Sequence, residues 1–117
     1  MDINTLYILG RYNYSTLKNY IEMEKYYTLI TGNFFSPEIE ELIILEMVIN
    51  ELIDYYILQK ENQKIYDLCI YILDNTKSIN LMYLMIDKLI ELGIKKEDLL
   101  IKYNDDFIIK HLERKNI

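Results

Sequence analysis

Residues 36–61 contain the clearest helix that this sequence predicts. Ser36 can cap a helix, and Pro37 suits its first position. The carboxylates of Glu38, Glu40 and Glu41 follow where the positive end of the helix dipole favours negative charge. The apolar positions at helical spacing are Ile39, Leu42, Leu45, Ile49, Leu52, Ile53, Tyr56 and Ile57. We therefore expect a long helix that begins at Pro37, ends in the polar residues from Gln59 onward, and is central to the fold.

The segment before this helix predicts a second one. Ser15 can cap a helix that runs to about Thr31, and Gly32 can end it. The first dozen residues, which are apolar over 6–9, are compatible with either a short helix or a strand.

Four further helices are predicted in the second half of the chain. They cover residues 64–74, 79–92, 96–103 and 106–115. Ser78 can cap the second of them. Gly93 suits a left-handed helix ending, in which Ile94 folds back onto Leu89.

Together these segments predict an all-α protein of five to six helices joined by short loops, in a compact bundle or an orthogonal arrangement. The chain has 117 residues, of which 51% are hydrophobic, so it can bury one core. The same apolar fraction excludes intrinsic disorder. A single helical domain over residues 1–117 is therefore expected.

Several features of the sequence predict where the protein resides. Residues 1–4 lack the basic and apolar regions of a secretory signal, and no apolar run approaches the ~20 residues that a bilayer span needs. One cysteine, Cys69, cannot form an internal disulfide, which is typical of a reducing compartment. The abundance of Ile and Tyr and the absence of Ala indicate an A/T-rich bacterial, phage or viral genome. We expect a cytoplasmic protein, in a bacterial or virus-infected cell, that does not contact the membrane.

The negative charge is concentrated in the long predicted helix. The formal net charge is -6. Residues 36–61 carry seven carboxylates and a single basic residue, Lys60, whereas the charges of the rest of the chain cancel. Because a field of one sign steers oppositely charged partners, this helix is the candidate interaction site.

Helical geometry divides the side chains of this helix between two faces. At ~100° per residue, the apolar face centres on Leu42, Ile49, Ile53 and Tyr56, with carboxylates opposite. The predicted partner-binding residues are Glu40, Ile44, Met47, Glu51, Asp54, Tyr55 and Leu58. Alternatively, other helices of the same protein cover the apolar members of this set and the carboxylates are only solvated. Glu46 lies closer to the apolar face and is expected to be half-buried and paired.

Twelve tyrosines are a second notable feature. Tyr26 and Tyr27 are adjacent, as are Tyr55 and Tyr56, and neighbours on a helix cannot both point inward. At least one member of each pair is therefore expected near the surface.

The sequence offers little support for catalysis. His111 is the single histidine, and scattered carboxylates around it are a weak indication of a metal site. Cys69 lies on an apolar helical face, where a core thiol is expected. The isolated glycines form no phosphate-binding loop. The sequence thus predicts no enzyme, no catalytic residue, no metal and no cofactor.

These observations favour a small acidic inhibitor that binds and blocks a larger protein with a basic surface. Proteins that handle nucleic acids commonly have basic surfaces of this kind. A toxin-immunity protein or a phage or viral anti-defence inhibitor is therefore the leading interpretation. No direct contact with nucleic acid is expected. A homo-oligomeric helical module, in its simplest form a homodimer, is one alternative, and a small helix-turn-helix DNA-binding regulator is another.

Overall fold

The computed structural model describes residues 2–115, and this part of the chain is helical without any strand. The helices are α1 (Ile3–Ser15), α2 (Tyr20–Thr31), α3 (Ile39–Leu58), α4 (Asn62–Asn75), α5 (Ile79–Glu91), α6 (Lys96–Lys102) and α7 (Asp106–Arg114). The predicted all-α class is confirmed. The described residues hold seven helices instead of five to six, because the first dozen residues form α1.

The helices group into two compact units, one up to Glu61 and the other from Asn62 onward. We call them the N-terminal unit, with α1 to α3, and the C-terminal unit, with α4 to α7. Each is described by itself, and the single domain expected from the sequence stays a prediction.

The first two helices meet at a turn that lies later in the chain than the sequence predicts. Ser15 was expected to cap α2, but it ends α1, where its hydroxyl donates a hydrogen bond of 2.7 Å to the Arg11 carbonyl. Lys18 then adopts a left-handed conformation with a φ of 54°. Asn19 caps α2 instead, since its side chain accepts a hydrogen bond from the Glu22 N–H at 3.2 Å.

In the N-terminal unit, α2 runs antiparallel to both of its neighbours. Gly10 of α1 allows the close approach of α2, because a Cβ at this position would lie 2.6 Å from Cδ1 of Tyr27. Between α2 and α3, Tyr27 pairs with Glu51, whereas the earlier residue Glu24 pairs with the later residue Tyr56. The three helices therefore run up, down and up.

The long helix α3 begins two residues later than expected. Pro37 and Glu38 remain outside it, and Glu38 takes the N-cap position in an extended conformation. The Glu38 N–H donates a hydrogen bond of 3.1 Å to Oε1 of Glu41, which satisfies one of the exposed donors at the helix start. The helix ends at Leu58 with Gln59 as its C-cap, as the polar residues there predicted.

In the C-terminal unit, α4 packs on α5, and α7 packs on α5 and α6. The Ser78 hydroxyl accepts a hydrogen bond from the Leu81 N–H at 3.3 Å, so the predicted cap of α5 is confirmed. Gly93 has a φ of 93°, and the Ile94 N–H donates to the Leu89 carbonyl at 3.1 Å. This is the left-handed ending that the sequence predicted for α5.

Each unit buries its own set of apolar side chains. In the N-terminal unit these are Ile3, Leu6, Met23, Tyr27, Ile30, Leu45, Val48, Ile49, Leu52, Ile53 and Tyr56. In the C-terminal unit they are Ile65, Cys69, Ile72, Leu73, Leu81, Met85, Ile86, Leu89, Leu99, Ile108 and Leu112. Cys69 is thus a core thiol, as expected. Tyr27 and Tyr56 are buried while their neighbours Tyr26 and Tyr55 are partly exposed, which confirms the prediction for both tyrosine pairs.

Candidate protein-binding surface

One long side of α3 is exposed over the whole length of the helix. We call it the α3 face. Its exposed residues are Ile39, Glu40, Ile43, Glu46, Met47, Asn50, Asp54, Ile57 and Leu58. The α3 face combines three carboxylates with five large apolar side chains, and α3 contains no lysine or arginine. Such a surface can attract a basic partner and then bury apolar area against it.

The structure brings four of the seven predicted partner-binding residues onto the α3 face. These are Glu40, Met47, Asp54 and Leu58. Ile44 and Tyr55 are half-buried at its edge. Glu51 lies apart from this group and turns towards the other helices of its unit.

Glu51 is the centre of a hydrogen-bonded cluster inside the N-terminal unit. Its carboxylate forms an ion pair with Arg11 and accepts a hydrogen bond of 2.5 Å from the Tyr27 hydroxyl. The Glu51 side chain is 14% exposed, compared with 48% for Arg11. The expectation that Glu51 points away from the core therefore differs from its position in the structure, because Arg11 and Tyr27 hold it between α1, α2 and α3.

Tyr27 belongs to the same cluster. Burial raises the pKa of the Tyr27 hydroxyl above its usual range, with the neighbouring Tyr7 contributing in the same direction. The phenol therefore stays protonated and can donate to Glu51 throughout the physiological pH range.

Tyr55 and Ile44 have defined neighbours in their own unit. The Tyr55 ring stacks on Tyr20 of α2 with centroids 5.4 Å apart, and Tyr20 meets Tyr14 of α1 edge-on at 5.8 Å. Ile44 lines a cavity of about 390 Å³ at the start of α1 and α3, together with Ile3. Both residues are available to a partner at their exposed edges only.

Three residues of α3 depart from the expected orientation. Ile39 and Ile57 were placed on the apolar side by their spacing, yet both are exposed on the α3 face. Glu46 was expected to be half-buried and is also exposed. All three would have been placed correctly if the predicted apolar face had been rotated towards Val48 and Leu52, which are fully buried.

The contribution of α1 to this surface was not predicted from the sequence. The Tyr7 hydroxyl lies 4.0 Å from the sulfur of Met47, and Arg11 pairs with Glu51 one turn further along both helices. In each pair the two residues are forty positions apart in the sequence. Helices α1 and α3 therefore run parallel, in the same register. Ile8, the neighbour of Tyr7, is 65% exposed.

The charge of the chain lies in the same unit as the α3 face. The N-terminal unit contains four basic and ten acidic residues, whereas the C-terminal unit contains nine of each. The whole formal charge of -6 therefore belongs to the N-terminal unit. Eleven of the fifteen exposed large hydrophobic side chains in residues 2–115 belong to it as well.

The C-terminal unit contains a polar cluster of a different kind. Oδ1 of Asp87 on α5 lies 2.8 Å from Nε2 of His111 and 2.8 Å from Nζ of Lys115. The His111 ring stacks on Tyr83 with centroids 4.1 Å apart. Partial burial raises the pKa of Asp87, but the hydrogen bonds from Lys115 and His111 outweigh it and hold the pKa below its usual value. This cluster fastens the end of α7 to α5.

Three further properties of residues 2–115 concern metal ligands, the cysteine thiol and the apolar character of the helices. Over residues 2–115, no three His, Cys, Asp or Glu side chains are placed to share a metal ion. Burial raises the pKa of the Cys69 thiol to about 12. None of the helices described combines the length and apolar character needed to cross a bilayer.

Comparison with known proteins gives no relative of this chain. No family model, no curated protein and no solved structure matches it significantly. The α3 face is therefore the basis on which a function can be assigned.

Proposed function

We propose that the protein is a small, non-enzymatic inhibitor that places the α3 face on a basic surface of a larger protein and blocks it. The observation that carries this proposal is the composition of the α3 face, where Glu40, Glu46 and Asp54 stand among exposed apolar residues on a helix without any basic side chain. Glu51 is left out of the contact set because Arg11 already neutralises it.

The two kinds of side chain on the α3 face have different tasks. The carboxylates accelerate association and select basic partners, since charge complementarity acts mainly on the encounter rate and on specificity. Met47 and Leu58 supply apolar area that is removed from water in the complex, and such area is the main source of affinity. Neither kind alone would give a tight and selective complex.

The partner class follows from the charge. Proteins that bind nucleic acids line their clefts with lysine and arginine, and an acidic helix can occupy such a cleft in place of the phosphates. In an A/T-rich bacterial or viral genome, two roles suit this behaviour in the cytoplasm: neutralising a toxin, or inhibiting a host defence complex.

Charge reversal on the α3 face tests the proposal. Tagged wild-type protein and the variant Glu40→Lys/Glu46→Lys/Asp54→Lys are used to capture partners from cells of the native host, and the captured protein is then purified and titrated. A matched control, Asp67→Lys/Glu91→Lys/Glu113→Lys, makes the same change in net charge at exposed positions of the C-terminal unit. Thermal unfolding confirms that each variant is folded.

We expect the α3 variant to lose at least about tenfold in affinity, equivalent to about 1.4 kcal/mol, while the control retains binding. Wild-type affinity is also expected to fall as salt rises from 0.05 to 0.5 M, as in any contact steered by exposed charges. Equal losses in the two variants would contradict the proposal, because they would show that only the total charge matters.

A further inference from the structure

The groove between α1 and α3 extends the α3 face onto a second helix. Tyr7 contacts Met47 at the floor of this groove, where Ile44 is also partly exposed. Ile8 follows Tyr7 on α1 and Ile43 lies one turn before Met47 on α3, and their side chains are 65% and 57% exposed. We use "groove" for these five residues.

The charges around the groove have a specific order along its length. Glu40 and Asp54 lie near opposite ends of the exposed row of α3, fourteen residues apart, which corresponds to ~21 Å along a helix. Ile43 and Met47 lie between them, and the third carboxylate of the α3 face, Glu46, is turned ~100° around the helix from Met47. Along the groove itself the surface is thus acidic at both ends and apolar in the middle. Helix α1 adds apolar area without any carboxylate, and its Arg11 is paired with Glu51.

We propose that the groove receives one amphipathic α-helix of the partner protein, with apolar side chains at its centre and lysine or arginine about two turns away on either side. This inference rests on the proposed function and specifies the element that the α3 face recognises. A helix is the fitting occupant because α1 and α3 run parallel, so that a third helix can lie along both, and α1 alone is ~20 Å long.

The negative charge of the α3 face disfavours two other occupants, a second copy of this chain and a nucleic acid. A second copy of this chain would bring Glu40, Glu46 and Asp54 close to carboxylates of the same kind, at a cost in repulsion. A nucleic acid would be repelled for the same reason. A helix with basic ends and an apolar centre meets both the charge and the apolar area of the groove.

Two synthetic peptides serve as probes for this inference. The first is an 18-residue fluorescein-labelled helix of Leu, Ala and Lys, with leucines on one face at its centre and lysines at both ends. The second has the same composition, with the leucines distributed around the helix. Fluorescence anisotropy measures the binding of each peptide to the full chain, and sedimentation without peptide gives the oligomeric state.

Two neutral double variants locate the contact. Ile8→Gln/Ile43→Gln changes both sides of the groove, whereas Ile21→Gln/Ile101→Gln changes two isoleucines that are exposed elsewhere, one in each unit. We expect the first peptide to bind about tenfold more tightly than the second. The groove variant is expected to lose most of that difference, and the control variant to keep it.

Other results would overturn the inference in ways that separate it from the proposed function. Equal binding of the two peptides, abolished by Glu40→Lys/Glu46→Lys/Asp54→Lys, would retain an acidic binding face but exclude a groove that recognises a helix. Binding that survives in the groove variant would have the same meaning. A wild-type dimer that the groove variant dissociates would show that a second copy covers the surface. Failure of the charge reversal to change any binding, to the peptides or to the captured partner, would remove the proposed function too.

Discussion

Tyr27 on α2 and Glu51 on α3 are joined by a hydrogen bond of 2.5 Å, and Arg11 on α1 pairs with the same carboxylate. One side chain thereby links all three helices of the N-terminal unit. Glu51 is consequently a structural residue, although it stands among the carboxylates of the most acidic helix in the chain.

Removing the charge of Glu51 should destabilise the protein more than removing an exposed charge of the same helix. Glu51→Gln weakens the hydrogen bond from Tyr27 and leaves Arg11 without its ion pair, so we expect a loss of about 1–2 kcal/mol in the free energy of unfolding. Asp54→Asn, the matched control, is expected to change it by less than about 0.5 kcal/mol. Urea unfolding followed by circular dichroism measures both, and equal effects would show that Glu51 has no special structural role.

Substitution at Gly10 should loosen the contact between α1 and α2. The methyl group in Gly10→Ala would overlap the ring of Tyr27, so either the ring or the helix must move, and we expect a cost of about 1–3 kcal/mol. Asn4→Ala, on the exposed side of α1, is the control and should be nearly neutral. Thermal unfolding of the two variants provides the comparison. An unchanged unfolding midpoint for Gly10→Ala would mean that Tyr27 of α2 lies further from α1 than the structure places it.

The cluster around Asp87 should make stability depend on pH in acid. Burial raises the pKa of Asp87, but hydrogen bonds from Lys115 and His111 lower it more, so folding favours the ionised carboxylate. This stabilisation is complete above the unfolded pKa, near 3.8, and is lost as pH falls through the lower folded value. Because the site is partly solvated, it amounts to less than about 1 kcal/mol.

The variant Asp87→Asn tests this dependence. At pH 7 it should unfold at a lower urea concentration than the wild type, and the difference should shrink as pH falls below about 3.8. A difference that stays constant from pH 7 to pH 2 would contradict the assigned role of the carboxylate.

Cys69 should be protected from thiol reagents in the folded protein. Its side chain is fully buried and its pKa is raised to about 12, so little thiolate forms at pH 8 and reagents cannot reach it. We expect a disulfide reagent such as DTNB to label Cys69 completely in 6 M guanidinium chloride and far more slowly in buffer. Rapid labelling in buffer would indicate that the C-terminal unit opens readily around α4.

The features that could be predicted from the sequence depend on neighbours within one or two turns. The cap at Ser78 and the ending at Gly93 need only the residues beside them, since the hydrogen bonds that define them span three to five positions. The burial of Cys69 likewise follows from the spacing of apolar residues on α4. Features of this kind can be predicted because a single short segment contains all the residues that determine them.

The features that were missed depend on residues far apart in the chain. Glu51 turns inward because of Arg11, forty positions earlier, and no pattern within α3 indicates that partner. Ile39 and Ile57 match the apolar spacing of α3, but the side of a helix that is covered is decided by where the neighbouring helices pack. The start of α2 was missed for a third reason, because a left-handed Lys18 in the turn after α1 separates the two helices where helical spacing continues.

The parallel register of α1 and α3 also determines how the proposed binding surface is assembled. Its two walls come from segments that are joined only through α2, so the surface exists in the folded chain and in no single stretch of sequence. An isolated α3 peptide would carry the carboxylates of the α3 face but would lack the contribution of Tyr7 and Ile8 from α1. Minimal mimics of the protein would therefore need all three helices of the N-terminal unit.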